Sequence, residues 1–162
     1  MLETLPIEQR NGLHDRLGYD LARTDPQLGL TWATSIQGAG REEAVQRLFE
    51  EWSGNAPAAV IKAHDTLESE EDRQAALVGI ARGWAIETSG RDELRLINAY
   101  QYASEITDDS KRAQSIKIIA YNWADKYNID NATAFFSDNA MSDADRAVAM
   151  AQIERARKEN GE

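Results

Sequence analysis

Two histidines, each followed by an aspartate, are the residues of this chain best suited to chemistry: His14-Asp15 and His64-Asp65. Imidazole and carboxylate together can hold a divalent ion and let it activate water. With Asp125 the set would be His14, His64, Asp65 and Asp125. The bland alternative places both pairs on exposed helix faces, and the surrounding pattern favours it. There is no Gly-rich phosphate loop, serine nucleophile elbow or HExxH metal motif. Gly38-Ala39-Gly40 reads as a turn between helices, and the carboxylate pairs Glu70-Glu71 and Asp108-Asp109 fall at helix starts, where capping explains them. No catalytic residue, metal ligand or cofactor is therefore assigned.

Stepping outward from these residues, the dominant signal is a repeat. Arg41 to Trp52, Arg73 to Trp84 and Arg112 to Trp123 share an arginine, a small residue three on, an aliphatic seven on and a tryptophan eleven on. The small and aliphatic members are Ala44 and Leu48, Ala76 and Ile80, Ser115 and Ile119. Degenerate copies flank them, one with Arg10, Leu13, Leu17 and Leu21, the other with Arg146, Ala149, Ile153 and Arg157. Frames starting at 10, 41, 73, 112 and 146 have periods of 31, 32, 39 and 34 residues. Units of this length stack as helical hairpins, because no unit can bury its apolar face alone. Arg157, standing where the inner copies have tryptophan, marks the last helix as a cap with one side in water.

Between frames the chain supplies a second helix. Asp25-Pro26 stops the first helix near Thr24 and opens the next, and Pro57 repeats the device. Counting on from the prolines aligns Trp32 and Ile36 with Ala63 and Leu67, then with Tyr102 and Ile106, then with Phe136 and Ala140. Eighteen residues separate Trp84 from Tyr102 where Trp52 to Ala63 takes eleven, so about seven are inserted near Thr88-Ser89-Gly90-Arg91. Ser69, Asp108 and Ser142 lie at predicted helix N-termini.

The frame arginines also lie near helix starts, where the macrodipole disfavours a cation. Another interaction must retain them. The spacing predicts a ladder in which each guanidinium bonds a carboxylate or a free helix C-terminal carbonyl of the adjoining unit. The tryptophans at 52, 84 and 123 share a stripe with the aliphatic positions and are expected in the core.

Composition agrees with an all-α protein: 42% of the 162 residues are hydrophobic, only three are proline, and charged residues make up 28%. A formal charge of -10 argues against nucleic acid and anionic membrane surfaces as partners, since both need clustered Lys and Arg. The absence of cysteine excludes disulfides and thiolate metal sites and leaves the compartment open. Met-Leu-Glu-Thr-Leu-Pro lacks the basic and apolar regions of a signal peptide, which is compatible with a cytoplasmic chain or with an exported one whose leader has been removed.

In this organisation the chain resembles the right-handed helical-hairpin repeat proteins of the tetratricopeptide, Sel1-like and HEAT-like kind, in a divergent, bacterial-style form marked by Trp84-Ala85 and Trp123-Ala124. Asp72-Arg73-Gln74-Ala75-Ala76 and Ser110-Lys111-Arg112-Ala113 are similar to the arginine-then-small run of a HEAT second helix. No copy keeps the tryptophan, leucine, glycine and tyrosine set of a strict tetratricopeptide unit. The resemblance implies one helical-repeat domain over residues 1–162, a right-handed α-solenoid of four to five antiparallel hairpins. It further implies a non-catalytic scaffold or adaptor that binds another protein or a peptide segment, with self-assembly into a homo-oligomer as a related alternative. The variable helices and the insertion would line its binding face, through Trp32, His64, Arg91, Arg95, Tyr100, Gln101 and Tyr102. The His-Asp order is also similar to that of the HD metal-dependent phosphohydrolases, which implies the enzymatic alternative.

Overall fold

The computed structural model describes residues 7–38, 40–86 and 93–161, with side chains from residue 16 onward. Among the described residues the regular structure is helical throughout: α1 (Ile7–Thr24), α2 (Pro26–Ser35), α3 (Arg41–Asn55), α4 (Pro57–His64), α5 (Glu70–Ile86), α6 (Glu93–Ser104), α7 (Asp109–Lys126), α8 (Ile129–Asp138) and α9 (Asp143–Glu159). Local chemistry sets their starts. Asp25 accepts from the Leu28 amide, Asp108 from Lys111, Asn128 from Asn131 and Ser142 from Asp145, satisfying amides that have no partner inside their own helix. Pro26 and Pro57 occupy first-turn positions, where a missing N–H costs nothing. Gly40 precedes α3 at φ 103°, a left-handed conformation that a side chain would strain.

The chain divides into two compact units, Met1–Gly83 and Trp84–Glu162. In the first, α1 and α2 pack on α3, and α4 returns against it. The core is drawn from Val45, Leu48, Phe49 and Trp52 of α3, Val60 of α4, and Ala76 and Ile80 of α5, each at most 2% exposed. Two glycines bring α5 onto α3. A Cβ at Gly79 would fall 2.9 Å from both the Glu50 nitrogen and the Phe49 Cβ, and one at Gly83 would overlap Ser53 Oγ and the Glu50 carbonyl. Helix α5 is buried on almost every side, which explains why it carries little amphipathic pattern.

The second unit is centred on α7, which packs against α6, α8 and α9. Tyr100, Trp123, Phe135 and Phe136 form an aromatic cluster. Tyr100 meets both phenylalanines edge-on, with centroids 5.3 and 5.7 Å apart, and Trp123 lies 4.8 Å from Phe135. The frame places its residues as expected in both units: Ala44, Leu48, Ala76, Ile80, Ser115 and Ile119 are at most 1% exposed, and Trp52, Trp84 and Trp123 at most 5%.

Candidate functional site

The arginine ladder is present. Arg41, in the first turn of α3, donates from Nε and Nη2 to the two Asp72 oxygens at 2.9 and 2.6 Å, and from Nη1 to the Ile36 carbonyl at the end of α2. Arg112 of α7 repeats the arrangement, donating to Asp145 at 3.1 Å and to the Ile106 carbonyl at 2.9 Å. Arg73 donates to the Leu67 carbonyl at 2.7 Å, and Arg146 to carbonyls of Phe136, Ser137 and Asn139. Each guanidinium thus closes the C-terminus of the helix before it, where orphan carbonyls carry the negative end of the dipole. Asp72 and Asp145 each stand one residue before the next frame arginine. At the corresponding place before Arg112 the chain has Lys111, which offers no acceptor.

Beside the Arg41–Asp72 pair lies a cleft of about 330 Å³, lined by Leu30, Thr34, Arg41, Thr66, Leu67, Glu68, Ser69 and Asp72. Helix α2 contributes Leu30 and Thr34, α3 contributes Arg41, α5 contributes Asp72, and the α4–α5 turn supplies the rest. The hydroxyl protons are each donated within the chain. Thr34 donates to the Leu30 carbonyl at 2.8 Å, Thr66 to the Ala63 carbonyl at 2.7 Å and Ser69 to the Glu71 carboxylate at 2.8 Å. Ser69 also accepts the Asp72 amide at 3.3 Å. The Asp72 bond raises the Arg41 pKa above its ordinary value, against the opposing effect of burial. The Ser69 hydroxyl lowers that of Glu71, and Arg73, then Gln74, lower that of Glu70.

Counting back six residues from the turn residues Ile36 and Ile106 aligns Leu30 with Tyr100. The two units differ sharply there. Leu30 is half-buried at the edge of an open cleft, whereas Tyr100 is only 7% exposed. Burial raises the Tyr100 pKa first, with a further push from the Asp145 carboxylate opposed by Arg146 and Arg112. Its phenol therefore feels the same arginine and aspartate that form the rung of the second unit.

The described residues expected on a binding face differ in burial. Tyr100 is corrected from face to core. Consecutive helix residues are 100° apart, so Tyr100 points inward, Gln101 is exposed and Tyr102 is half-buried, edge-on to Trp84 at 5.3 Å. Arg95 is half-buried, with Nη1 buried and lacking a hydrogen-bond partner. Trp32 is half-buried and packs near Gly18. Arg91 and the rest of the insertion near 88–91 lie outside the described residues. The exposed position expected for His64 is also corrected, since its side chain is only 15% exposed. It stands three residues before Leu67, as Ala33 and Ala103 stand before Ile36 and Ile106, and both alanines are fully buried. His64 Nδ1 lies 3.3 Å from Asp65 Oδ1, while Nε2 is buried without a hydrogen-bond partner. The side chains of His14 and Asp15 lie outside the described ones. Among the described residues no group of three or more His, Asp or Glu could hold a metal ion, and no helix is long and apolar enough to cross a membrane.

Sequence spacing had singled out the arginines and the kinds of acceptor they use, without naming the individual acceptors, and had passed over the cleft. The aspartates were legible as the residue before a frame arginine. The cleft was not, because its lining comes from three helices and a turn. No protein-family model, curated protein or solved structure matches the chain.

Proposed function

We propose that this chain is a non-catalytic scaffold that holds a segment of another protein, its hairpins arranged as a right-handed α-solenoid of four to five units. The observation that carries this reading is the repeated rung: Arg41, Arg73, Arg112 and Arg146 each tie a helix to the end of the one before it, leaving the intervening helices free to vary in surface. Repeat arrays use such variable surfaces for binding. The cleft beside Arg41 is the candidate contact point, since its size lies at the lower end of the roughly 300–1,000 Å³ range of ligand sites. Self-assembly remains a related reading. The metal-dependent hydrolase alternative needs further ligands near His64 and Asp65, and no described cluster supplies them.

Selection of a displayed library of random peptide segments on the purified chain tests the proposal. A scaffold is expected to enrich a family of related segments that also bind as synthetic peptides. If no segment is enriched, and metal analysis instead finds a bound divalent ion that is lost in His64→Ala, the scaffold reading gives way to the hydrolase.

A further inference from the structure

Resting on the scaffold reading, we infer that the cleft of the first unit receives a lysine or arginine side chain from the bound protein segment. The first argument is hydrogen-bond polarity. A threonine or serine hydroxyl has one proton and two lone pairs. The protons of Thr34, Thr66 and Ser69 are engaged by Leu30, Ala63 and Glu71. What these groups still offer is acceptor capacity, and the exposed Glu68 carboxylate offers acceptors alone. Of the five N–H bonds of Arg41, three are held by Asp72 and Ile36. The cleft is therefore an acceptor-rich wall with one largely satisfied cation.

The second argument is charge and shape together. Asp72 neutralises Arg41 in a two-point pair, so Glu68 dominates the remaining field, with Asp65 on the same turn and Glu70 and Glu71 in the first turn of α5. Arg73, the nearest further cation in sequence, is held by Glu70 and the Leu67 carbonyl. Leu30 and Leu67 supply apolar wall. A donor-rich cation on an aliphatic stem fits both features, with its stem against the leucines and its charged end toward Glu68. An anion would meet the acidic turn, and a purely apolar side chain would leave the acceptors unmatched.

The second unit carries a different residue at the aligned position. At the position of Leu30 it carries Tyr100, buried among Phe135 and Phe136 and within the field of Asp145 and Arg112. Leu30→Tyr would therefore place the larger ring of the aligned residue at the edge of the first unit's cleft.

The test uses nuclear magnetic resonance titration of the intact chain with Gly-Ser peptides, each carrying one central lysine, arginine, glutamate or leucine. Spermidine and inorganic phosphate serve as separate probes. The basic peptides are expected to give saturable shifts at the amides of Thr34 and residues 66–72. Glu68→Gln should weaken them about three- to fivefold, the scale of one exposed ion pair, and Leu30→Tyr should abolish them. Glu154→Gln, which makes the same change in net charge on α9, should leave affinity within about twofold. Thermal melting checks that the variants fold, and Thr34→Leu is a second, smaller filling variant should Leu30→Tyr unfold.

Equal weakening by Glu154→Gln, binding that survives both filling variants, or preference for glutamate, leucine or phosphate would overturn the inference. Tighter binding of spermidine than of the peptides would assign the cleft to a free amine and overturn it too. Library enrichment of segments lacking basic residues would sink this inference while leaving the scaffold standing. Saturable basic-peptide binding with no enriched segment would support the side-chain site but remove the scaffold.

Discussion

The two units meet one packing problem with different side chains. Each sets an arginine at the start of a frame helix, closes the preceding helix with it and pairs it with the aspartate before the next frame arginine. In the first unit Asp72 takes two N–H bonds from Arg41, glycines bring α5 close to α3, and space remains beside the pair. In the second, Arg112 shares itself between Asp109 and Asp145, while Tyr100, Trp123, Phe135 and Phe136 fill the interior. The comparison separates the conserved task of the rung from the variable volume around it. A rung fixes how helix ends meet, whereas the residue six before the turn is a half-buried leucine at a cleft in one unit and a buried tyrosine in an aromatic cluster in the other.

The largest effect should come from the aromatic interior of the second unit. Phe136 is fully buried, so Phe136→Ala should lower unfolding free energy by about 3–5 kcal/mol in chemical denaturation. A loss below about 1 kcal/mol would show that the cluster is not a packed core. Next come the rungs. Asp72→Ala removes a two-point pair whose aspartate side chain is 4% exposed, and should cost about 2–3 kcal/mol. Asp145→Ala should cost about 1–2 kcal/mol, because Arg112 keeps Asp109 and the Ile106 carbonyl. The reverse order would break the comparison.

A smaller change is expected at His64. Alanine already occupies the corresponding buried positions 33 and 103, and replacement removes an unpartnered Nε2 while leaving a void. These opposing effects should keep His64→Ala within about 1 kcal/mol of the parent. A loss above 2 kcal/mol would mean that the imidazole fills space an alanine cannot replace.

The smallest expected effect is that of acid. Glu70 and Glu71 in the first unit, and Asp108 and Glu159 in the second, are held below their ordinary carboxylate pKa values by hydrogen bonds. A lowered folded pKa gives stability that is present above the unfolded value of about 4 and is lost as pH falls through the folded value. Denaturation midpoints should therefore decline below about pH 4 in both units. A midpoint that rises there would reverse the assigned direction.

Periodicity made most of the helices legible, and cap chemistry their starts at Ser69, Asp108 and Ser142, because those depend on residues a few places apart. It also identified the core tryptophans and predicted the kinds of acceptor that the arginines use. It placed Tyr100 on a binding face and His64 on a surface, because the variable helices were judged by their differences between copies. Burial depends on what a neighbouring helix brings opposite, and for Tyr100 that is Phe135 and Phe136 from a helix more than thirty residues later.

The amino-acid order by itself determined an all-helical chain built on an arginine-to-tryptophan frame, since helix signals and a repeated apolar stripe act over one or two turns. Only the tertiary structure decided which aspartate meets each arginine, that Tyr100 fills the second unit, and that Leu30, Thr34 and Glu68 border an open cleft in the first. Those outcomes depend on side-chain volumes and charges from separate helices competing for the same space, and no local spacing records that competition.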